Sequence, residues 1–254
     1  MRKMKVAILA GGKGSRLAEE TGTKSKAMVR VGDYPIIWHI MKYYSWLSKF
    51  IVALGYQAES ITNYFNSLGA RCPPIENGPR RLVFPSSEPN WTVELVDTGL
   101  ETMSGGRIKR LAPYIGADRF MLTWCDGLSD VNLDELLVFH LRHGQLATLT
   151  AIHPPAKFGR LALEGDRVAA FREKLVDLAE WVNGAFFVLE PGIFDYIDGD
   201  RTQWEYEPMT KLAADGELMA YRHEAFWQCM DTLPESLLLN KLWRGGEAPW
   251  KRWT

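Results

Sequence analysis

The run Val6-Ala7-Ile8-Leu9-Ala10 is continuously apolar and opens directly onto Gly11-Gly12-Lys13-Gly14-Ser15-Arg16-Leu17. A strand that is apolar at every position has to be covered on both faces, which directs the chain toward an open α/β sheet with helices above and below. Phe50 to Leu54, closed by Gly55, and Phe120 to Trp124, leading into Cys125-Asp126-Gly127, repeat the pattern. Thr92 to Val96 and Leu146 to Ile152 read as further strands. Between them, Ile36, Ile37, Ile40, Met41 and Tyr44 form an apolar stripe at helical spacing behind Pro35. Residues 58–65, 106–114 and 133–142 also read as helices. The expected frame is a βαβαβ open sheet, mostly parallel.

From about residue 155 the elements shorten. Arg160 to Leu163, Val168 to Arg172 and Val182 to Leu189 read as strands of a smaller antiparallel unit, followed by helices near 191–197, 207–214 and 234–243. Residues 69–91 carry five prolines and no clear periodicity, so they read as a long loop or flap. The boundary near 155 is soft, the two parts are expected to share one sheet, and residues 1–254 are expected to form one domain with parts at about 1–154 and 155–254.

Thirty Lys and Arg against 31 Asp and Glu give a net charge of −1, which disfavours nucleic acid as a main partner. No apolar run approaches the roughly 20 residues of a membrane span, and the apolar stretch after the basic start is too short for a signal-peptide core. Cys72, Cys125 and Cys229 are odd in number, widely spaced and form no CxxC pair. These features point to a reducing, cytoplasmic setting without a disulfide framework or a zinc site.

Chemistry concentrates in four places. In the loop after Ala10, three glycines let backbone N–H groups turn toward an anion, and Lys13 and Arg16 add two cations. A dinucleotide fingerprint fails because the third glycine would fall on Leu17, and the Walker A spacing is absent. A tight turn that needs glycine for geometry alone is the alternative. Lys24 and Lys26, at i and i+2 of an extended stretch, point to one side and could hold a second phosphate; a solvated loop would look the same. Asp126 lies just beyond a buried strand, where open α/β sheets bind ligands. It has no basic neighbour in sequence, which suits a hard cation such as Mg²⁺. Asp231 also ends an apolar run and either joins that site or caps the helix that follows.

Taken in order, these pieces resemble the sugar-1-phosphate nucleotidyltransferases and, within them, the cytidylyltransferases that act on glucose 1-phosphate. The series runs through Lys26-Ala27-Met28-Val29, Pro35-Ile36-Ile37-Trp38-His39 and Val96-Asp97-Thr98-Gly99. It continues through Gly105-Gly106-Arg107-Ile108-Lys109-Arg110, Asp126-Gly127, Phe171-Arg172-Glu173-Lys174, Asn183-Gly184, Phe226-Trp227-Gln228 and Asp231-Thr232. The resemblance implies a Rossmann-like nucleotidyltransferase fold with a smaller antiparallel sugar-binding part. It implies transfer of a nucleotidyl group, CMP from CTP, to a sugar 1-phosphate with release of pyrophosphate, and a homo-oligomer. Arg16 and Lys26 become catalytic residues around the α-phosphate. Leu9, Ala10, Gly11, Gly12, Gly14, Ser15, Ser104, Arg110 and Asp126 join them in the nucleotide site, with Arg110 and the Gly105-Gly106 turn near base or ribose. Glu173, Lys174, Asn183 and Gly184 would contact the acceptor, and Asp126 and Asp231 would hold Mg²⁺. His39, His140, His143, His153 and His223 are expected to be structural or surface residues.

The chain departs from the family pattern where Ser25 and Ala27 replace prolines, Cys125 and Ala185 replace glycines, and Leu175 and Cys229 replace prolines. Charged groups persist while shaping residues change, which points to a remodelled acceptor pocket around kept phosphate chemistry. A non-catalytic nucleotide-sugar-binding relative that regulates a partner is the reading to set against an enzyme.

Overall fold

The computed structural model describes residues 4–14, 17, 21–22, 24–69, 80–83, 91–154, 160–164, 166–172 and 180–253. The first half contains β1 (Lys5–Leu9), β2 (Arg30–Val31), β3 (Tyr34–Pro35), α1 (Ile36–Tyr43), β4 (Lys49–Leu54), α2 (Ala58–Ser67), β5 (Arg80–Val83), β6 (Thr92–Asp97), α3 (Ser104–Ile115) and β7 (Phe120–Trp124). It continues with β8 (Gly127–Ser129), α4 (Leu133–His143), β9 (Ala147–Ile152), β10 (Arg160–Glu164), β11 (Arg167–Arg172), β12 (Val182–Leu189), α5 (Glu207–Ala214), β13 (Leu218–His223), β14 (Trp227–Cys229) and α6 (Leu233–Arg244).

Eight strands form one sheet in the order β13-β9-β12-β7-β1-β4-β6-β5. β1 runs parallel to β4 and β7, with Val6 beside Phe50 and Leu9 beside Trp124. Its alternate residues enter two cores. Val6 and Ile8 pack in one cluster with Ile36, Ile37 and Ile40 of α1, and Ala7 and Leu9 in the other with Ile108 and Leu111 of α3. Burial on both faces is why no polar residue interrupts the run. The β4–β6 and β9–β13 pairs are also parallel, giving the mostly parallel, Rossmann-like α/β architecture that the sequence predicts.

Three expectations need correction. β12 lies in the main sheet, antiparallel between β7 and β9, so the two parts do share one sheet, but β10 and β11 pair apart from it rather than with β12 in one unit. Phe186, Phe187, Val188 and Leu189 are fully buried, the composition of a central strand, but periodicity alone does not tell such a strand from one in a separate unit. Within 69–91, β5 adds an antiparallel edge to β6; prolines masked a four-residue strand. Pro191–Tyr196 is a 3-10 turn rather than an α-helix. Among the described residues no helix is long and apolar enough to cross a membrane.

Candidate active site

β1 and β7 are parallel neighbours, so their carboxyl ends open on the same side of the sheet, and β14 pairs with β8 in a separate two-stranded sheet. Beyond β7, Asp126 leaves the strand; beyond β14, Asp231 precedes α6. Between β1 and β2 the chain makes a 3-10 turn, Lys26–Met28, that starts at Ser25. The Ser25 hydroxyl accepts from Ala27 N–H at 3.4 Å and donates to the Ala10 carbonyl at 3.4 Å. Ser25 thus ties the lysine turn to the start of the glycine loop. The turn corrects the extended reading of 24–26, so the i, i+2 argument for pairing Lys24 with Lys26 does not apply.

Lys26 Nζ donates to Asp126 Oδ2 at 2.7 Å and to Asp231 Oδ1. The three side chains are only 10%, 23% and 13% exposed, so this is a buried ion triad rather than a surface pair. Burial lowers the lysine pKa, but the Asp126 and Asp231 charges outweigh it and hold the ammonium protonated well above the ordinary lysine value. Asp126 therefore does have a basic partner, supplied by a residue 100 positions away rather than by a sequence neighbour. Asp231 does not cap α6: Thr232 and Glu235 form a capping box there, and Asp231 is left to face the lysine.

Two thiols flank the triad. Burial, with Asp126 next in effect, pushes Cys125 up to about 12. Burial followed by Glu235 and Asp231 does the same for Cys229. Both stay protonated at neutral pH; Cys125 packs as a small apolar group, and the Cys229 thiol donates weakly to Asp231 Oδ2 at 4.0 Å and Glu235 Oε1 at 3.9 Å.

Beside the triad, a cavity of 440 Å³ is lined by Leu9, Gly11, Gly12 and Lys13 of the glycine loop, by residues 100–104, and by Arg107 and Trp124. Four predicted nucleotide-site residues, Leu9, Gly11, Gly12 and Ser104, meet here. Ala10 is buried, its N–H held by the Ala53 carbonyl. Arg110 does not reach the cavity; it forms a bidentate pair with Asp200 at 2.8 and 2.6 Å. The Gly105-Gly106 turn does not face it either. A Cβ on Gly106 would lie 2.5 Å from the Asp200 backbone, so the small residues there let α3 dock on the 200–202 loop.

Arg107 is the cavity residue that spacing arguments overlooked. It is 5% exposed and donates to the Leu54, Gly99 and Leu100 carbonyls and to Thr98 Oγ1, joining the ends of β4 and β6. Burial lowers its pKa, with Asp97 opposing. A Cβ on Gly11 would come within 2.3 Å of its guanidinium, so Gly11 leaves the room that this hydrogen-bonded cation occupies. The signal was present: Arg107 falls on the same helical stripe as Ile108, Leu111 and Ile115, where an arginine is out of place unless it has work inside.

Asn183 and Gly184 sit where β12 loses its regular pairing with β9. Asn183 Oδ1 accepts from Ala185 N–H, and Trp227 Nε1 donates to the Gly184 carbonyl at 2.7 Å, linking this bulge to the strand that leads to Asp231. Ala185 has φ +63°, a conformation that favours glycine. Ser15, Arg16, Glu173, Lys174 and Leu175 lie outside the described residues. The histidines His39 and His140 are buried in packing: His39 Nε2 meets the Val31 carbonyl, and His140 meets Thr148 and Glu190.

The Asp126 and Asp231 carboxylates converge on one cation, a donor set of hard oxygens that suits a divalent ion of the Mg²⁺ type. Among the described residues no group of three or more His, Cys, Asp and Glu side chains comes together as a complete metal cage. Two carboxylates with the remaining positions left to water and phosphate is the arrangement Mg²⁺ ordinarily takes.

The nucleotidyl transferase family model matches residues 5–232. Glucose-1-phosphate cytidylyltransferase of Salmonella typhi is 45% identical over 98% of this chain and 100% of its own. Probable glucose-1-phosphate cytidylyltransferase of Bacillus subtilis is 39% identical over 98% and 100%. Among solved structures, HddC from Yersinia pseudotuberculosis shares the fold at a TM-score of 0.71, with 20% identity over 94% of this chain and 99% of its own. UDP-glucose pyrophosphorylase in complex with UDP-glucose does so at 0.69, with 14% identity over 96% and 99%. With a buried lysine–dicarboxylate centre beside a glycine-loop cavity, and with relatives this similar end to end, the chain belongs to the nucleotidyl transferase family, with the glucose-1-phosphate cytidylyltransferases.

Proposed function

We propose that this enzyme transfers CMP from CTP to glucose 1-phosphate, forming CDP-glucose and pyrophosphate. The observation that carries the reading is the Lys26–Asp126–Asp231 triad at the strand ends, next to a cavity large enough for a nucleoside, in a chain 45% identical to a glucose-1-phosphate cytidylyltransferase.

In this reading an oxygen of glucose 1-phosphate attacks the α-phosphorus of CTP. The new P–O bond forms as the bond to the β-phosphate oxygen breaks, and pyrophosphate leaves with the electron pair. The second pKa of a phosphate monoester is about 6, so the nucleophile is already largely dianionic at pH 7 and no general base is needed. This agrees with histidines engaged in packing. The difficulty is bringing two polyanions together, and the protein's contribution is positioning and charge neutralisation.

Lys26 and Arg16 neutralise the α-phosphate. The glycine-loop backbone donates to the phosphates, and the cavity beyond Arg107 takes the nucleoside. Glu173, Lys174, Asn183 and Gly184 hold the acceptor. Divalent metal is general to the family, and Asp126 and Asp231 would hold Mg²⁺, which supplies charge neutralisation at the reacting phosphates. The intact triad favours this enzyme over a non-catalytic regulator, because an unused buried triad is costly to keep.

The test is pyrophosphate release with each of the four NTPs and dTTP against glucose 1-phosphate and other sugar 1-phosphates, with MgCl₂. CTP with glucose 1-phosphate is expected to be the fastest pair. Faster turnover of CTP with another acceptor would favour a remodelled acceptor pocket, the reading that Leu175, Ala185 and Cys229 suggest, and no turnover with any pair would favour the regulator.

A further inference from the structure

The ammonium of Lys26 stands at the point on which both carboxylates converge, 2.7 Å from Asp126 Oδ2 and bonded to Asp231 Oδ1. A divalent cation shared by the two carboxylates needs that same point. The two cations cannot both hold it, since they would repel a few ångströms apart in buried surroundings. Nor can the lysine leave cheaply, because a buried ammonium without a partner costs several kcal/mol. Its stem runs along the glycine loop, where a Cβ on Gly14 would lie 3.3 Å from Lys26 Cβ, so a phosphate held by that loop is within the side chain's swing. The backbone of the turn, pinned through Ser25, need not move.

We propose that Lys26 is a placeholder for the divalent cation: it occupies the carboxylate pair in the free enzyme and passes to a phosphate oxygen when nucleotide and metal arrive together. This rests on the phosphoryl-transfer reading of the site. Metal binding and triphosphate binding are then mutually dependent, each strengthening the other by the same factor. The free enzyme resists metal alone, which keeps the carboxylates at cation spacing without capturing stray ions.

The experiment is Mn²⁺ binding, read by loss of the free Mn²⁺ electron paramagnetic resonance signal, to wild type, Lys26→Met, Lys26→Gln and Lys13→Met, without nucleotide. Thermal melts verify that each variant is folded. Both Lys26 variants are expected to bind Mn²⁺ at least about tenfold more tightly than wild type, and Lys13→Met no more tightly. Adding the non-hydrolysable analogue CMPCPP is expected to tighten Mn²⁺ binding far more in wild type than in the Lys26 variants. Equal Mn²⁺ affinity in wild type and the Lys26 variants would overturn the proposal, as would a gain shared by Lys13→Met. Should the Lys26 variants not fold, wild type alone decides: Mn²⁺ affinity unchanged by the analogue overturns it. The arms without nucleotide do not depend on CTP being the substrate, so a failure of that assignment remains distinguishable.

Discussion

Two cation–carboxylate arrangements in this molecule use the same chemistry to different ends. At the strand ends Lys26 meets Asp126 and Asp231 with the side chains nearly covered; on the outer flank of α3 Arg110 clasps Asp200 with side chains 43% and 53% exposed. The exposed clasp has ideal bidentate geometry and is a surface staple between a helix and a loop. The triad has desolvated three charges, a cost that stability alone does not justify. Burial, not geometry, separates the triad from the staple, and without a ligand Arg110 is engaged by Asp200.

If that contrast holds, Asp126→Asn and Asp231→Asn each lower kcat by about 10³-fold or more, because an amide cannot supply the carboxylate's charge. Circular dichroism should show the fold kept. Turnover within tenfold of wild type in either variant would remove that residue from the centre.

Arg107, buried like the triad but bonded to carbonyls and a hydroxyl, tests whether a covered cation can be structural support for the cavity. Arg107→Met is expected to cost about 3 kcal/mol in urea unfolding, leaving the Gly99 and Leu100 carbonyls short of a donor while Leu54 keeps those of Thr98. A loss below about 1 kcal/mol would contradict that role.

The buried histidines sharpen the comparison through pH. Burial pushes His39 and His140 down to about 4 from an ordinary 6.5. Between those values the unfolded chain binds more protons than the folded one. Stability is therefore full above pH 6.5 and is lost as pH falls toward 4. Melting temperature followed from pH 7 to pH 4 should drop, and less so in His39→Leu. A flat profile would contradict the burial of neutral rings.

Smaller effects follow on the periphery. Ala185→Gly is expected to stabilise the protein by about 1 kcal/mol by removing a left-handed alanine. Asp200→Asn is expected to leave both the melting temperature and the KM for CTP unchanged within error. A rise in that KM would return Arg110 to the nucleotide site.

Much of this arrangement was legible in the residues. Val6–Ala10 dictated a strand covered on both faces, and the carboxylates ending two apolar runs pointed to Asp126 and Asp231. What sequence order hid was three-dimensional pairing. The neutralising partner of Asp126 lies 100 residues away, and that of Lys26 on the far side lies 205 residues away. No window of neighbouring residues contains either. Arg107 and Arg110 are one helical turn apart in the same motif, and only the packing of α3 decides which faces the cavity and which faces Asp200. That the two parts share one sheet was legible, but the separation of β12 from β10 and β11 was not, because apolar content reports burial and not which strands lie alongside.

The most direct test of the central claim is phosphorus NMR of the purified enzyme with CTP, glucose 1-phosphate and MgCl₂. Wild type is expected to convert the CTP signals into those of pyrophosphate and a sugar-nucleotide diphosphate in equal amounts, with Asp126→Asn leaving the spectrum unchanged. CTP remaining intact with wild type, or equal conversion by Asp126→Asn, would contradict it.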